Sequence, residues 1–106
     1  MLAAVMEVNV QALTTRGSEE DKAFFLPRYD TVAKTLTDNK DACAQDGVRH
    51  IQEMCSQMNV IGLAEYGMTR DMFGEAIAKG RKSSSMKGNP IYLTDEELEL
   101  ILEKSM

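Results

Sequence analysis

One histidine, two cysteines, two prolines and no tryptophan stand in a chain of 106 residues. With a single histidine, no multi-histidine metal site can form within one copy. Two cysteines make no disulfide framework. Cys43 and Cys55 fall in one predicted helix, where a rise of about 1.5 Å per residue sets them roughly 18 Å apart. Disulfide Cα atoms must approach to about 4.4–6.8 Å, so both read as buried free thiols. The glycines, at 17, 47, 62, 67, 74, 80 and 88, never occur two apart, which excludes the G-x-G-x-x-G dinucleotide fingerprint. No apolar run approaches the roughly 20 residues of a membrane span. The start, Met1 to Val10, carries Glu7, has no basic flank and lacks a small-residue cleavage site, so it does not read as a secretory signal. The expected compartment is the cytoplasm. Positive charge is also short, with 12 basic against 17 acidic side chains and a net of −5. That balance excludes nucleic acid and anionic membranes as expected partners, since both require a surplus of Lys and Arg.

What the chain does have is enough apolar material for a core, 43% hydrophobic against 27% charged, arranged at helical spacing. The length allows one domain, residues 1–106. Leu2, Val5, Met6, Val10 and Leu13 recur at three- and four-residue steps and predict a first helix over about 2–15. Gly17-Ser18 and the run Glu19 to Lys22 read as a solvated loop. A second helix is expected to open at Pro27, whose fixed φ suits a first helical position, and to stop near Thr37-Asp38-Asn39. A third runs from about Asp41, its N-cap, to Asn59, with Val48, Ile51, Cys55 and Met58 as a seam. Thr69 caps a fourth, in which Gly74 and Gly80 suggest close backbone packing. Thr94-Asp95-Glu96-Glu97 is a capping box that opens the last helix, with Leu98, Ile101 and Leu102 on its apolar side. Met6, Met54, Met58 and Met72 read as core fillers. Ile91-Tyr92-Leu93 is the one short extended candidate. The fold expected is all-α, with about five helices.

Several motifs imitate chemistry. Gly62 to Thr69 fits the phosphate-loop pattern except that Met68 stands where a Lys must neutralise phosphate, and no buried strand precedes it. Ser84-Ser85-Met86-Lys87 spells S-x-x-K, without the companion motifs of serine acyl-transferases. His50 and Glu53, at i and i+3, supply two potential ligands, too few for a metal, and His50 is expected to face solvent. Cys43 and His50 share a face at i and i+7, with no third group to orient them. No catalytic, cofactor-binding or metal-ligating set is assigned.

A family resemblance runs through the chain in order. Leu2-Ala-Ala-Val-Met-Glu-Val-Asn9, then Arg28-Tyr29 with Val32-Ala33, then Cys55 to Leu63, and finally Ser84 to Leu102 with Asn89-Pro90 and Thr94 to Leu98, resemble the C-terminal helical domain of iron-containing alcohol dehydrogenases. The resemblance implies reversible hydride transfer between NAD(P) and an alcohol or aldehyde, with a divalent metal, iron or zinc, polarising the oxygen. It also implies that the nucleotide-binding domain and the Asp and His metal ligands lie upstream of the helix matched by Leu2 to Asn9, so this chain is expected to hold no cofactor itself. By the same resemblance Ser85, before Asn-Pro, lines the substrate cleft. A well-capped turn at Asn89-Pro90 is the plainer alternative.

Three functions follow as expectations. The leading one is a detached C-terminal helical domain of such a dehydrogenase, inactive alone, with exposed apolar faces and self-association that hides part of the first or last helix. The second is a helical interaction module that pairs with itself or, in trans, with a separate dinucleotide-binding subunit. The third, a small enzyme in its own right, is the weakest.

Overall fold

The first helix, α1 (Leu2–Arg16), buries Ala4, Val8, Asn9, Val10, Ala12 and Leu13, residues that wrap around much of its circumference. A helix apolar on more than one face belongs in the middle. In the computed structural model, which describes residues 1–106, α1 packs against α2 (Glu19–Thr37), α3 (Ala44–Gln57) and α5 (Asp95–Lys104), while α4 (Phe73–Arg81) packs on α5. The fold is all-α, with five α-helices and three short 3-10 turns. Its shortest dimension is 22 Å, two helix diameters of about 10–12 Å, so the molecule is two layers thick. The central cluster joins Ala4, Val8, Ala12 and Leu13 of α1 to Ile91, Leu93, Leu98 and Ile101. No helix is long and apolar enough to cross a membrane.

Local signals explain most boundaries, and three departures are instructive. The second helix opens at Glu19, not at Pro27. The Ser18 hydroxyl accepts from the Asp21 N–H at 3.0 Å, and the acidic run expected as a loop is a first turn that complements the helix dipole. Pro27 therefore lies inside α2. It and Ala23, whose carbonyl loses its i+4 donor, are both exposed, so water can take that carbonyl. The third helix starts at Ala44 with Cys43, not Asp41, as N-cap. Asp46 accepts from the Cys43 N–H at 2.9 Å, and Asp30 of α2 accepts from the Ala44 N–H at 2.8 Å. Those contacts satisfy donors that a helix start leaves orphaned, and the Cys43 N–H holds the Asp46 carboxyl below the ordinary carboxylate range. Cys43 is accordingly exposed and Cys55 only half-buried, so the expectation of buried thiols fails.

Two helix ends are closed by left-handed residues: Asp38 at φ 51° caps α2, and Asn59 at φ 54° follows α3. The close helix contact is at Gly47, not at Gly74 or Gly80. A Cβ on Gly47 would lie 2.9 Å from the Ala33 Cβ and 3.1 Å from its Cα, whereas one on Gly74 would meet nothing. The methionines expected in the core are mostly outside it, with Met58 62% exposed, and Met54 and Met72 also exposed.

Candidate functional site

The segment between α4 and α5 builds the one concave apolar surface of note, and side chains hold it in place of a sheet. Ile91 and Leu93 point inward and Tyr92 outward, an alternation typical of a strand, yet no strand pairs with it. Instead three side chains take its carbonyls. Asn89 Nδ2 donates to the Ile91 carbonyl at 2.7 Å, Arg16 Nη2 to that of Tyr92 at 2.5 Å, and Arg81 Nη2 to that of Leu93 at 2.9 Å. Arg16, at the end of α1, also grips Glu97 through two bonds of 2.8 and 2.6 Å. Arg81, at the end of α4, bonds Asp95 and lies 4.7 Å above the Tyr92 ring. Arg81 and Asp95 thus tie the end of α4 to the start of α5. The Arg16 bonds lower the Glu97 carboxyl below its ordinary value, and the Asp95 bond raises the Arg81 guanidinium.

Below this segment, Asn9 and Asn89 exchange amide hydrogen bonds of 2.9 and 2.8 Å, and Asn9 Nδ2 also reaches the Tyr29 hydroxyl at 3.2 Å. Asn9 is 3% exposed. A buried amide is tolerated when its donors and acceptor are used, and here they join α1, α2 and the turn before Pro90. Burial of the Tyr29 phenol pushes its pKa up.

That clamp fixes one wall of a groove of about 470 Å³. The start of α1, the inner face of α4, the 3-10 turn Ser84–Gly88 and α5 enclose it, and Leu63 and Met68 close its far side. Eleven of its fifteen lining residues are hydrophobic, and none has a charged side chain. Ser85 is among the fifteen, and its backbone N–H donates to the Ser83 hydroxyl at 3.3 Å. The structure therefore places Ser85 on the groove wall next to Asn89. Val5 and Ile77, part of the apolar lining, were not legible as site residues, because an apolar stripe at helical spacing reads as core. The one available signal was Asn9, a polar residue inside the apolar stripe of α1.

The other candidates do not come together. His50 is half-buried in a shallow depression with Asp46, Arg49 and Glu53, rather than fully turned to solvent. No three His, Cys, Asp or Glu side chains converge to hold a metal. Cys43 Sγ faces the Gln45 and Asp46 side chains rather than His50. Gly62 to Thr69 is a 3-10 turn, Leu63–Tyr66, ended by Gly67 at φ 89°, and the turn Ser84–Gly88 carries the S-x-x-K pattern. No family model, no curated protein and no solved structure matches the chain.

Proposed function

We propose that the chain is the helical half of an oxidoreductase similar to the iron-containing, NAD(P)-dependent alcohol dehydrogenases, and that it is not catalytically competent alone. In this reading the dinucleotide and an iron or zinc ion are held by an α/β half outside these 106 residues, in the cytoplasm. This chain supplies one wall of the substrate cleft. The observation that carries the reading is the apolar groove lined by Ser85 and Asn89, at the turn where the family resemblance expects substrate. The order of resembling segments from Leu2 to Leu102 supports it.

The test is a chimera in which the chain replaces the helical domain of an iron-containing alcohol dehydrogenase. NAD(P)-linked alcohol oxidation should appear in the chimera, and neither the chain alone nor the α/β half alone should show it. A chimera that folds and binds nucleotide but oxidises no alcohol sinks the proposal.

One further observation favours a second reading, pairing with another copy. Leu2 at the start of α1, and Met58, Val60 and Ile61 after α3, are all more than half exposed. Such residues outside the groove suit a protein contact.

A further inference from the structure

We infer that Ser84 is a phosphoryl acceptor, modified by an ATP-dependent protein kinase with an acidic peptide groove, and that Lys82 and Lys87 then hold the phosphate. Nothing in this depends on the dehydrogenase reading. The first ground is charge. The chain carries a net of −5, yet no acidic residue lies between Glu75 and Asp95, a stretch that holds Lys79, Arg81, Lys82 and Lys87. Lys79 is paired with Glu75 and Arg81 with Asp95. Lys82 and Lys87 are exposed and meet no carboxylate. They stand at either end of the serine turn, two ammonium groups without a counter-ion.

Of the three serines between them, only Ser84 is free. The Ser83 hydroxyl accepts from the Ser85 N–H, and both Ser83 and Ser85 line the groove. Ser84 is exposed, lies outside that lining, and its hydroxyl bonds no other residue. Arg81 and Lys82 precede it by three and two residues, where an acidic groove on the kinase attracts them. The backbone is extended at Ser83, with φ −71° and ψ 136°. The 3-10 turn after it, Ser84–Gly88, is five residues long, a short element that uncoils at little cost. In the transfer, the bond from the γ-phosphorus of ATP to the bridging oxygen breaks and ADP leaves. The Ser84 Oγ–P bond forms, and the hydroxyl proton passes to a carboxylate of the kinase. The product carries a charge of about −1.5 to −2 at neutral pH and three acceptor oxygens. Charge-assisted bonds to the two lysines tie the ends of the turn together, and with them the Ser85 and Met86 wall of the groove.

The chain is incubated with Mg-ATP and the catalytic subunit of cyclic-AMP-dependent protein kinase, and the phosphate is mapped by fragment mass. One phosphate should appear, on Ser84, and Lys82→Gln should slow its transfer by about tenfold. Phosphorus NMR should place the second ionisation of the phosphoserine below its ordinary value of about 6. Amide exchange at Met86 to Gly88 should slow by about tenfold on modification. In the slowly modified double variant Lys82→Gln, Lys87→Gln, the ionisation should return to its ordinary value and the exchange should not slow. Transfer spread over Ser83, Ser85 and other serines, or a rate indifferent to Lys82, overturns the inference. So does a phosphate that titrates at its ordinary value in the parent, turn amides that exchange no more slowly, or a Ser84→Ala chain modified as fast as the parent. An inactive chimera with a chain phosphorylated at Ser84 sinks only the dehydrogenase reading; an active chimera with a chain that takes no phosphate there sinks only this one.

Discussion

At the scale of single residues, what a side chain does here depends on its neighbour across a helix crossing. Gly47 and Gly80 are both helical glycines, and sequence propensity treats them alike, each costing up to about 1 kcal/mol relative to Ala. Space separates them. Ala33, fully buried, lies against Gly47 with its backbone as well as its methyl, and backbone moves only by shifting α2. Gly47→Ala should therefore lower stability by about 1–3 kcal/mol despite its better propensity. Urea unfolding gives the check, and a variant as stable as the parent would mean that the two helices can separate freely. The same contrast explains the misplaced expectation at Gly74, which a sequence cannot distinguish from Gly47 because the facing residue is distant in the chain.

At the scale of elements, helix ends were legible where the signal is local. Thr94 and Glu97 form the expected box: the Thr94 hydroxyl accepts from the Glu97 N–H at 3.2 Å, and Glu97 accepts from the Thr94 N–H at 2.9 Å. Glu97 also anchors α5 to Arg16 of α1, and that partner was not legible. Its carboxyl is lowered from an ordinary 4.5, first by the Arg16 hydrogen bonds. A lowered folded value means that the stabilisation is fully present above the unfolded value. It is lost as pH falls through the folded one. Stability should thus decline on acidification below about pH 4.5, and Glu97→Gln should flatten that decline while lowering stability at neutral pH. Denaturant midpoints across pH 2.5 to 7, a range of about five units around the carboxylate values, decide it; unchanged acid slopes would remove Glu97 from the account. The start of α2 was misread for a related reason. An acidic run looks solvated whether it is a loop or a first turn, and Gly17-Ser18 reads as loop although Ser18 caps the helix; Pro27 is tolerated inside α2 because water reaches the freed carbonyl.

At the scale of the whole molecule, the all-α class and the number of helices were readable from periodicity alone, since five apolar stripes need no knowledge of how they meet. The inside of the molecule was not. Met54, Met58 and Met72 remain exposed, and Met58, just past the end of α3, and Met72, in the 3-10 turn before α4, fall outside the helices whose stripes they were expected to join. The groove was invisible for the complementary reason, since concavity arises only where several elements meet. If Leu2, Met58, Val60 and Ile61 form a contact between copies, sedimentation should show association that rises with concentration and that Ile61→Asp abolishes, the groove staying open. A parent that stays monomeric throughout removes the second reading.

The amides of Asn9 and Asn89 meet across 80 positions of chain. Bringing such distant points together costs an entropy of about 4 kcal/mol on a logarithmic loop scale, whereas each helix forms from neighbours. The wall carrying Ser85 is therefore a late arrival in refolding, set only after the central helix has docked, and an early loss on thermal loosening. Occupancy by a ligand would then report on the final step of assembly.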